Sequence, residues 1–328
     1  MKTIKVGING FGRIGRALFR VLYNREDIQV VAINDVADAE VLAHLLKYDS
    51  IHGVFDSEIS ATPNAIKIDD SLVRYSQEER LEDLNWSDCD IVVEATGIYL
   101  SKNDLLKHQI AGAKKVVLAA SPKGNDVKMI VLGVNEEILN DSDTLVSNAS
   151  CTTNSAAPMV QLIDAHFGVE QAYITTIHSY TKDQSLHDSP HKDLRRARAG
   201  ALSIIPTTTG AAKALTKIFP HLEIGGCGMR VPVPNGSLTD MTFIVKKNCT
   251  IAEVNQVFLA ASKTTHKNYV AYTEDPIVSV DVLGNKASCL FDSQLTSVLG
   301  KMVKVVAWYD NEMGYSNRLA DLIIRLSK

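Results

Sequence analysis

The chain has 328 residues, 45% of them hydrophobic and 22% charged, a length that suggests about two domains at ~150 residues each. Its 34 Lys and Arg stand against 38 Asp and Glu, a net charge of −4, which argues against an overall basic nucleic-acid binder. No run approaches the ~18 apolar residues of a membrane span, and the N-terminus MKTIKVGINGFG has no long apolar stretch of a secretory signal.

The first half alternates short apolar runs with helical patterns. Thr3 to Asn9 reads as a strand. Arg13 to Tyr23 places Ile14, Leu18, Val21 and Leu22 on one helical stripe. Gln29 to Asn34 is a continuous apolar strand, as in a parallel sheet covered on both faces. A helix follows over Ala39 to Tyr48, then a hairpin over Ala65 to Ser76 turning at Asp69-Asp70. Cys89 to Glu94 reads as a strand, Lys102 to Ala111 as a helix ended by Gly112, and Lys115 to Ala119 and Met129 to Val134 as further strands. Alternating strands and helices imply βαβ units and an α/β domain.

After Ser150 the pattern becomes α+β, with longer strands and mostly antiparallel pairing expected. Strands are expected over Gln171 to Tyr180, Ser237 to Lys247, Pro276 to Leu283, Ala287 to Asp292 and Lys301 to Tyr309. Helices are expected near Ala211–Phe219 and Ala252–His266, with a last helix from about Asn311 to Leu326. Residues 181–203 read as a polar, arginine-rich loop.

Gly10-Phe11-Gly12-Arg13-Ile14-Gly15 forms a GxGxxG between a strand and an amphipathic helix, and Asp35 ends the next strand twenty residues after Gly15. That is the dinucleotide fingerprint; an ordinary glycine-rich turn is the competing reading. Gly10 permits the tight turn. Gly12 lets backbone approach a pyrophosphate at the helix N-terminus. Asp35 would accept from the adenosine ribose hydroxyls and repel a 2′-phosphate, which favours NAD over NADP.

Asn148-Ala149-Ser150-Cys151-Thr152-Thr153-Asn154 precedes an apolar helix pattern. A helix starting near Ser150 or Cys151 would put a thiol at its N-terminus, where the dipole and free N–H groups stabilise a thiolate. A buried structural cysteine is the plain alternative. His178 ends a strand and is a candidate partner base. Lys192, Arg195, Arg196 and Arg198 crowd into HKDLRRAR, which reads as a solvated face or as an anion site for a small phosphorylated substrate. Thr207-Thr208-Thr209-Gly210 opens a helix and suits the second reading. The five cysteines, at 89, 151, 227, 249 and 289, form no CxxC. Neither a disulfide framework nor a metal site is expected, and a reducing cytoplasm fits.

Taken together, INGFGRIGR, LLKYDSIHG, SNASCTTN, TTIHSYTKDQ, HKDLRRARA, IPTTTGAAKA, MRVPVPN and WYDNEMGYSNR resemble the phosphorylating glyceraldehyde-3-phosphate dehydrogenase family, in order and spacing along the chain. The resemblance implies a doubly wound NAD domain over 1–150, an α+β catalytic domain over 151–312, and a C-terminal helix, 313–328, packing back on the first. It implies a homotetramer, and no nucleic acid or membrane is required as a partner. It makes Cys151 the nucleophile and His178 its base, acting on a phosphorylated aldehyde and inorganic phosphate. It places Gly10, Gly12, Arg13, Ile14, Asp35, Arg80, Thr96, Gly97, Asn311 and Tyr315 at the cofactor. It places Ser150, Thr152, Thr181, Thr209, Gly210 and Arg230 at two anion positions, together with Arg196 or Arg198. Ala120 stands where many members carry a hydroxyl near the cofactor, and adjacent Ser121 is the substitute. Ser155 replaces a frequent second cysteine. Erythrose-4-phosphate dehydrogenases share the scaffold, and a catalytically idle NAD-binding regulator on the same fold is the rival of another class.

Overall fold

The computed structural model describes residues 3–328. Two compact units account for them: one takes in the chain to Ile130, Glu136–Ala149 and Ser316–Lys328; the other Val131–Asn135 and Ser150–Tyr315.

The first unit is built on one nine-stranded sheet. Across the sheet run Lys128–Met129, Leu145–Ser147, Lys115–Leu118, Ile91–Glu94, Ile4–Asn9, Ile28–Asn34 and Ser71–Ser76, all parallel. Ala65–Ile68 and Ile59–Thr62 then add antiparallel at one edge. The parallel strands are apolar because both faces are covered: Val6, Ile8, Ile33, Val92, Val93, Val116 and Val117 are buried. Helices Arg13–Tyr23, Ala39–Lys47 and Lys102–Ile110 supply crossovers, and the last helix, Met313–Ser327, enters this unit at Ser316. Its Asp321 lies 3.9 Å from Arg25, and the Leu326 carbonyl accepts from the Lys115 ammonium. From Ile4–Asn9 the chain goes first to Ile28–Asn34 on one side and later to Ile91–Glu94 on the other. That reversal makes a topological switch point, where ligands bind beyond the carboxyl ends of the strands.

In the second unit an eight-stranded sheet runs Ile205–Thr207, Glu223–Val231, Val169–Ser179, Ser237–Val245, Met302–Tyr309, Cys289–Asp292, Val270–Thr273, with Ser297–Leu299 also on Met302–Tyr309. Two pairings are parallel, Val169–Ser179 with Glu223–Val231 and Val270–Thr273 with Cys289–Asp292; the others are antiparallel. Strict alternation buries Ser237, Thr239, Met241, Phe243 and Val245 along one strand. Helices Cys151–Phe167, Ala211–Ile218 and Ile251–Lys263 complete the unit, Phe258 of the last stacking on Phe291 at 3.9 Å.

The structure corrects two expected strands. The strand read over Met129 to Val134 ends at Met129. Beyond it Asn135 Oδ1 accepts from the Val131 N–H, and the Val134 and Asn135 N–H groups both return to the Val131 carbonyl. These local bonds occupy the groups a ladder would need. The alternating valines of Pro276 to Leu283 form a 3-10 turn over Ser279–Val282, with Val278 and Val280 exposed. Asp281 caps it by accepting from the Val278 N–H.

Glu223–Val231 escaped the sequence reading because three glycines interrupt its pattern. Those glycines permit the parallel pairing. A Cβ on Gly226 would stand 2.3 Å from Ile174 Cγ2, and one on Gly225 3.0 Å from the Tyr173 ring.

Candidate active site

In the first unit the fingerprint glycines have three distinct roles. Gly10 has φ +92°, and a Cβ there would meet the Thr96 backbone at 2.7 Å. A Cβ on Gly15 would strike the Gly10 carbonyl at 2.2 Å, so the helix closes directly on the turn. Gly12 is exposed and a Cβ there would meet nothing within 4 Å. Gly12 is the N-cap of helix Arg13–Tyr23, and a pyrophosphate is expected at the first N–H groups of that helix. Asp35 Oδ2 accepts from the Phe11 N–H at 2.6 Å and Oδ1 from the Ala37 N–H, which ties the acidic residue to the turn. These residues fit a dinucleotide.

The other expected cofactor positions are more varied. Arg13 pairs with Asp49 at 2.6 Å. Burial would raise the Asp49 carboxyl, but the His52 and Ile51 N–H groups and Arg13 bring it down to about 2. Arg13 and Ile14 therefore offer backbone at the helix start rather than a free guanidinium. Thr96 is bound through its N–H and hydroxyl to Glu94, and Gly97 follows at φ +73°. The Ala120 carbonyl accepts from the Ser147 hydroxyl. Arg80 is well exposed, its nearest ionic partners Asp83 at 3.7 Å and Glu82 at 3.9 Å, and it is the N-cap of the 3-10 turn Leu81–Asp83, its carbonyl accepting from the Asp83 N–H.

In the second unit Ser150 is the N-cap of helix Cys151–Phe167, its Oγ accepting from the Thr153 N–H. Cys151 is therefore the first helical residue. Its Sγ lies 3.4 Å from Nε2 of His178, near the end of strand Val169–Ser179. Arg230, in register beside His178 on the parallel strand, brings its Nη1 to 2.5 Å from His178 Nδ1 and 2.9 Å from the Ser179 carbonyl. That carbonyl lies 2.8 Å from Nδ1. The two neighbours make opposite demands: a guanidinium only donates, a carbonyl only accepts. Only the tautomer with Nδ1–H on Ser179 leaves Nε2 a lone pair for the thiol.

The electrostatics depart from the thiolate expected at the helix start. Burial pushes the Cys151 thiol up, against Arg230 and the Thr152 hydroxyl and N–H, which pull it down. Burial, then the Arg230 charge, push His178 down to about 3. The pair is thus a thiol facing a neutral imidazole.

Sequence reasoning missed Tyr309. Its hydroxyl lies 2.9 Å from that of Thr152 and 3.0 Å from that of Thr176, and its ring meets His178 edge-on at 6.0 Å. Its place two residues before Asn311, at the end of an apolar strand, was the available signal.

The anion positions converge in part. Arg196 bonds through Nε to the Thr207 hydroxyl and through Nη1 to Asp183 at 2.6 Å, and its charge reaches Arg230. Arg198 points elsewhere, pairing with Asp188 while two-thirds exposed. Thr209 Oγ1 accepts from the Ala211 N–H next to N-cap Gly210, and Thr181 is braced by Gln184. Asn311 is buried; its Oδ1 accepts from the Ser179 and Ser237 hydroxyls. Tyr315 is buried in the last helix.

The glycine fingerprint, the cysteine–histidine contact and the arginines stand in the order the family motifs require, and comparison with known proteins agrees. Residues 4–102 match the glyceraldehyde 3-phosphate dehydrogenase NAD binding domain and residues 150–311 its C-terminal domain. The chain belongs to the glyceraldehyde 3-phosphate dehydrogenase family. It is 50% identical to glyceraldehyde-3-phosphate dehydrogenase 2 of Streptomyces avermitilis, covering 98% of each chain. It is 49% identical to the glyceraldehyde-3-phosphate dehydrogenase of Geobacillus stearothermophilus, over 98% of this chain and 97% of that one. The cofactor of this family's N-terminal domain is NAD.

Proposed function

We propose that the chain catalyses NAD-dependent oxidation of glyceraldehyde 3-phosphate, with inorganic phosphate, to 1,3-bisphosphoglycerate through a thioester on Cys151. The observation that carries this reading is the 3.4 Å approach of His178 Nε2 to a thiol at a helix N-terminus. Gly10 to Ile14, Asp35 and the Thr96-Gly97 turn would hold NAD in the first unit. Bound NAD supplies a two-electron acceptor for hydride.

His178 takes the thiol proton as Cys151 sulfur bonds to the aldehyde carbon, and returns it to the carbonyl oxygen, giving a hemithioacetal. It then takes the hydroxyl proton as hydride leaves the same carbon and the C=O bond re-forms as a thioester. A phosphate oxygen attacks that carbon, the C–S bond breaks, and His178 reprotonates the sulfur. A base pushed down to about 3 is weak for the first step. Arg230 is the part of that push that substrate can relieve. An anion on Arg230 neutralises its charge and leaves Nδ1 to the Ser179 carbonyl. Arg196, Arg230, Thr181, Ser150, Thr152, Thr209 and Gly210 serve the two anions.

We also infer a homotetramer in the cytoplasm. Leu186, Leu194, Leu202 and Ile204 stand exposed within one arginine-rich segment, which supports association with further copies. A reducing compartment suits a chain whose five cysteines are all free.

The test is NADH formation from glyceraldehyde 3-phosphate and phosphate, with erythrose 4-phosphate as the competing substrate. Cys151→Ser should bind NAD as the wild type does and lose essentially all turnover; near-normal turnover in that variant would refute the thioester route.

A further inference from the structure

Three neighbouring parallel strands of the first unit end in polar residues, Asn34, Asn9 and Glu94, held in one register row. All three side chains are buried. Each lies immediately before, or two residues before, a segment assigned to the cofactor: Asn34 before Asp35, Asn9 before Gly10, Glu94 two before Thr96.

The row is a hydrogen-bonded ribbon with a fixed direction. Trp86 Nε1 donates to His108 Nδ1 at 3.1 Å. An indole N–H can only donate, so Nδ1 accepts and His108 carries its proton on Nε2. That Nε2 lies 3.0 Å from Glu94 Oε2, which also accepts from Asn9 Nδ2 at 2.6 Å. Glu94 Oε1 accepts from the Thr96 N–H at 2.8 Å and from its hydroxyl. Asn9 Oδ1 accepts from Asn34 Nδ2 at 2.9 Å, and Asn34 Oδ1 from the Ser76 hydroxyl and the Glu78 N–H. Glu94 thus faces donors on every side, and only a carboxylate satisfies them all. A buried carboxylate is retained only where its bonds are complete, because each unmet donor costs a desolvation penalty.

The consequence falls on the turns above. Thr96, gripped twice by Glu94, presents the backbone on which Gly10 closes, within 2.7 Å of where a Cβ would be. Asn9 leads directly into that glycine, whose own N–H donates to the Asn34 carbonyl. We infer that Glu94 is a positioning residue for NAD: it sets the Thr96-Gly97 and Gly10–Gly12 turns through the ribbon and touches neither cofactor nor substrate. This inference rests on the NAD assignment of the first unit.

The experiment measures NAD affinity by calorimetry, with kcat and KM(NAD), in Glu94→Gln and in a core variant, Leu105→Ala, in the same unit. A glutamine puts an NH2 against the Asn9 or Thr96 donors. The expected result is at least a tenfold rise in NAD Kd and KM(NAD), with kcat at saturating NAD within about threefold of wild type. Leu105→Ala should lower Tm while holding NAD Kd within about twofold. A second variant covers a Glu94 substitution that fails to fold. Asn9→Ser removes the Nδ2 that donates to Glu94 and should weaken NAD about fivefold. Unchanged NAD affinity in Glu94→Gln or in Asn9→Ser overturns the inference, as does equal weakening in Leu105→Ala. A wild-type chain that bound no NAD would overturn the cofactor assignment itself.

Discussion

The guanidinium of Arg230 lies against the imidazole of His178, Nη1 to Nδ1 at 2.5 Å, on neighbouring parallel strands. A cation held beside a buried histidine disfavours protonation of the ring. Burial and Arg230 together push His178 down to about 3, from an ordinary value near 6.5. In the unfolded chain the ring protonates near 6.5, so protons bind the unfolded state first. Stability from this site is full above about pH 6.5 and is lost as pH falls toward about 3, at up to ~1.4 kcal/mol per pH unit. His178→Asn should therefore lose less Tm than wild type over that window. Parallel curves for the two proteins would contradict the assignment.

Tyr309 joins the first turn of helix Cys151–Phe167 to strand Val169–Ser179 through the hydroxyls of Thr152 and Thr176. Tyr309→Phe keeps the ring against His178 and removes one hydroxyl. A loss of ~1 kcal/mol of stability follows from the buried hydrogen bonds. We expect kcat to fall about three- to tenfold, as nucleophile and base lose a shared anchor, with KM(NAD) unchanged. Denaturant titration and steady-state kinetics check both.

Arg196 and Arg198 are two residues apart and have different neighbours. Arg196 reaches Thr207 and the field of Arg230, while Arg198 pairs with Asp188 at the surface. Arg196→Ala should raise KM for the phosphorylated aldehyde at least about tenfold, the size of a lost charge-assisted bond. Arg198→Ala should stay within about twofold, because exposed ion pairs contribute little. Equal effects would place both arginines at the anion.

Asp35 accepts from Phe11 and Ala37 as well as standing where a ribose is expected. Asp35→Ser should shift the NADP to NAD ratio of kcat/KM toward NADP by about tenfold or more, since a 2′-phosphate no longer meets a carboxylate. Affinity for NAD should also fall, because the turn loses two acceptors. A wild type that used NADP as well as NAD would overturn the specificity assigned to this residue.

The linear pattern carried local features well. The GxGxxG between strand and helix, the N-cap Ser150 before Cys151, and the apolar parallel strands were all legible, because hydrophobic period and capping chemistry act within a few residues. Where local signals misled, nearby hydrogen bonds competed with them, as Asp281 did under the alternating valines and Asn135 after Met129. Strand Glu223–Val231 was hidden because its glycines are explained only by Tyr173 and Ile174, some fifty residues away.

The sequence alone determined that this chain holds a nucleotide fingerprint, a thiol at a helix start and a cluster of arginines, since residue type and short spacing decide each. Only the tertiary structure decided which groups meet. Sheet register brings Arg230 to His178 and Glu94 to Asn9 and Asn34, and different ion-pair partners, Asp183 for Arg196 and Asp188 for Arg198, set the two arginines apart. The protonation preferred by the cysteine–histidine pair was likewise a tertiary matter. A helix dipole favours thiolate locally, but burial and a neighbouring guanidinium depend on segments distant in the chain, and together they outweigh it.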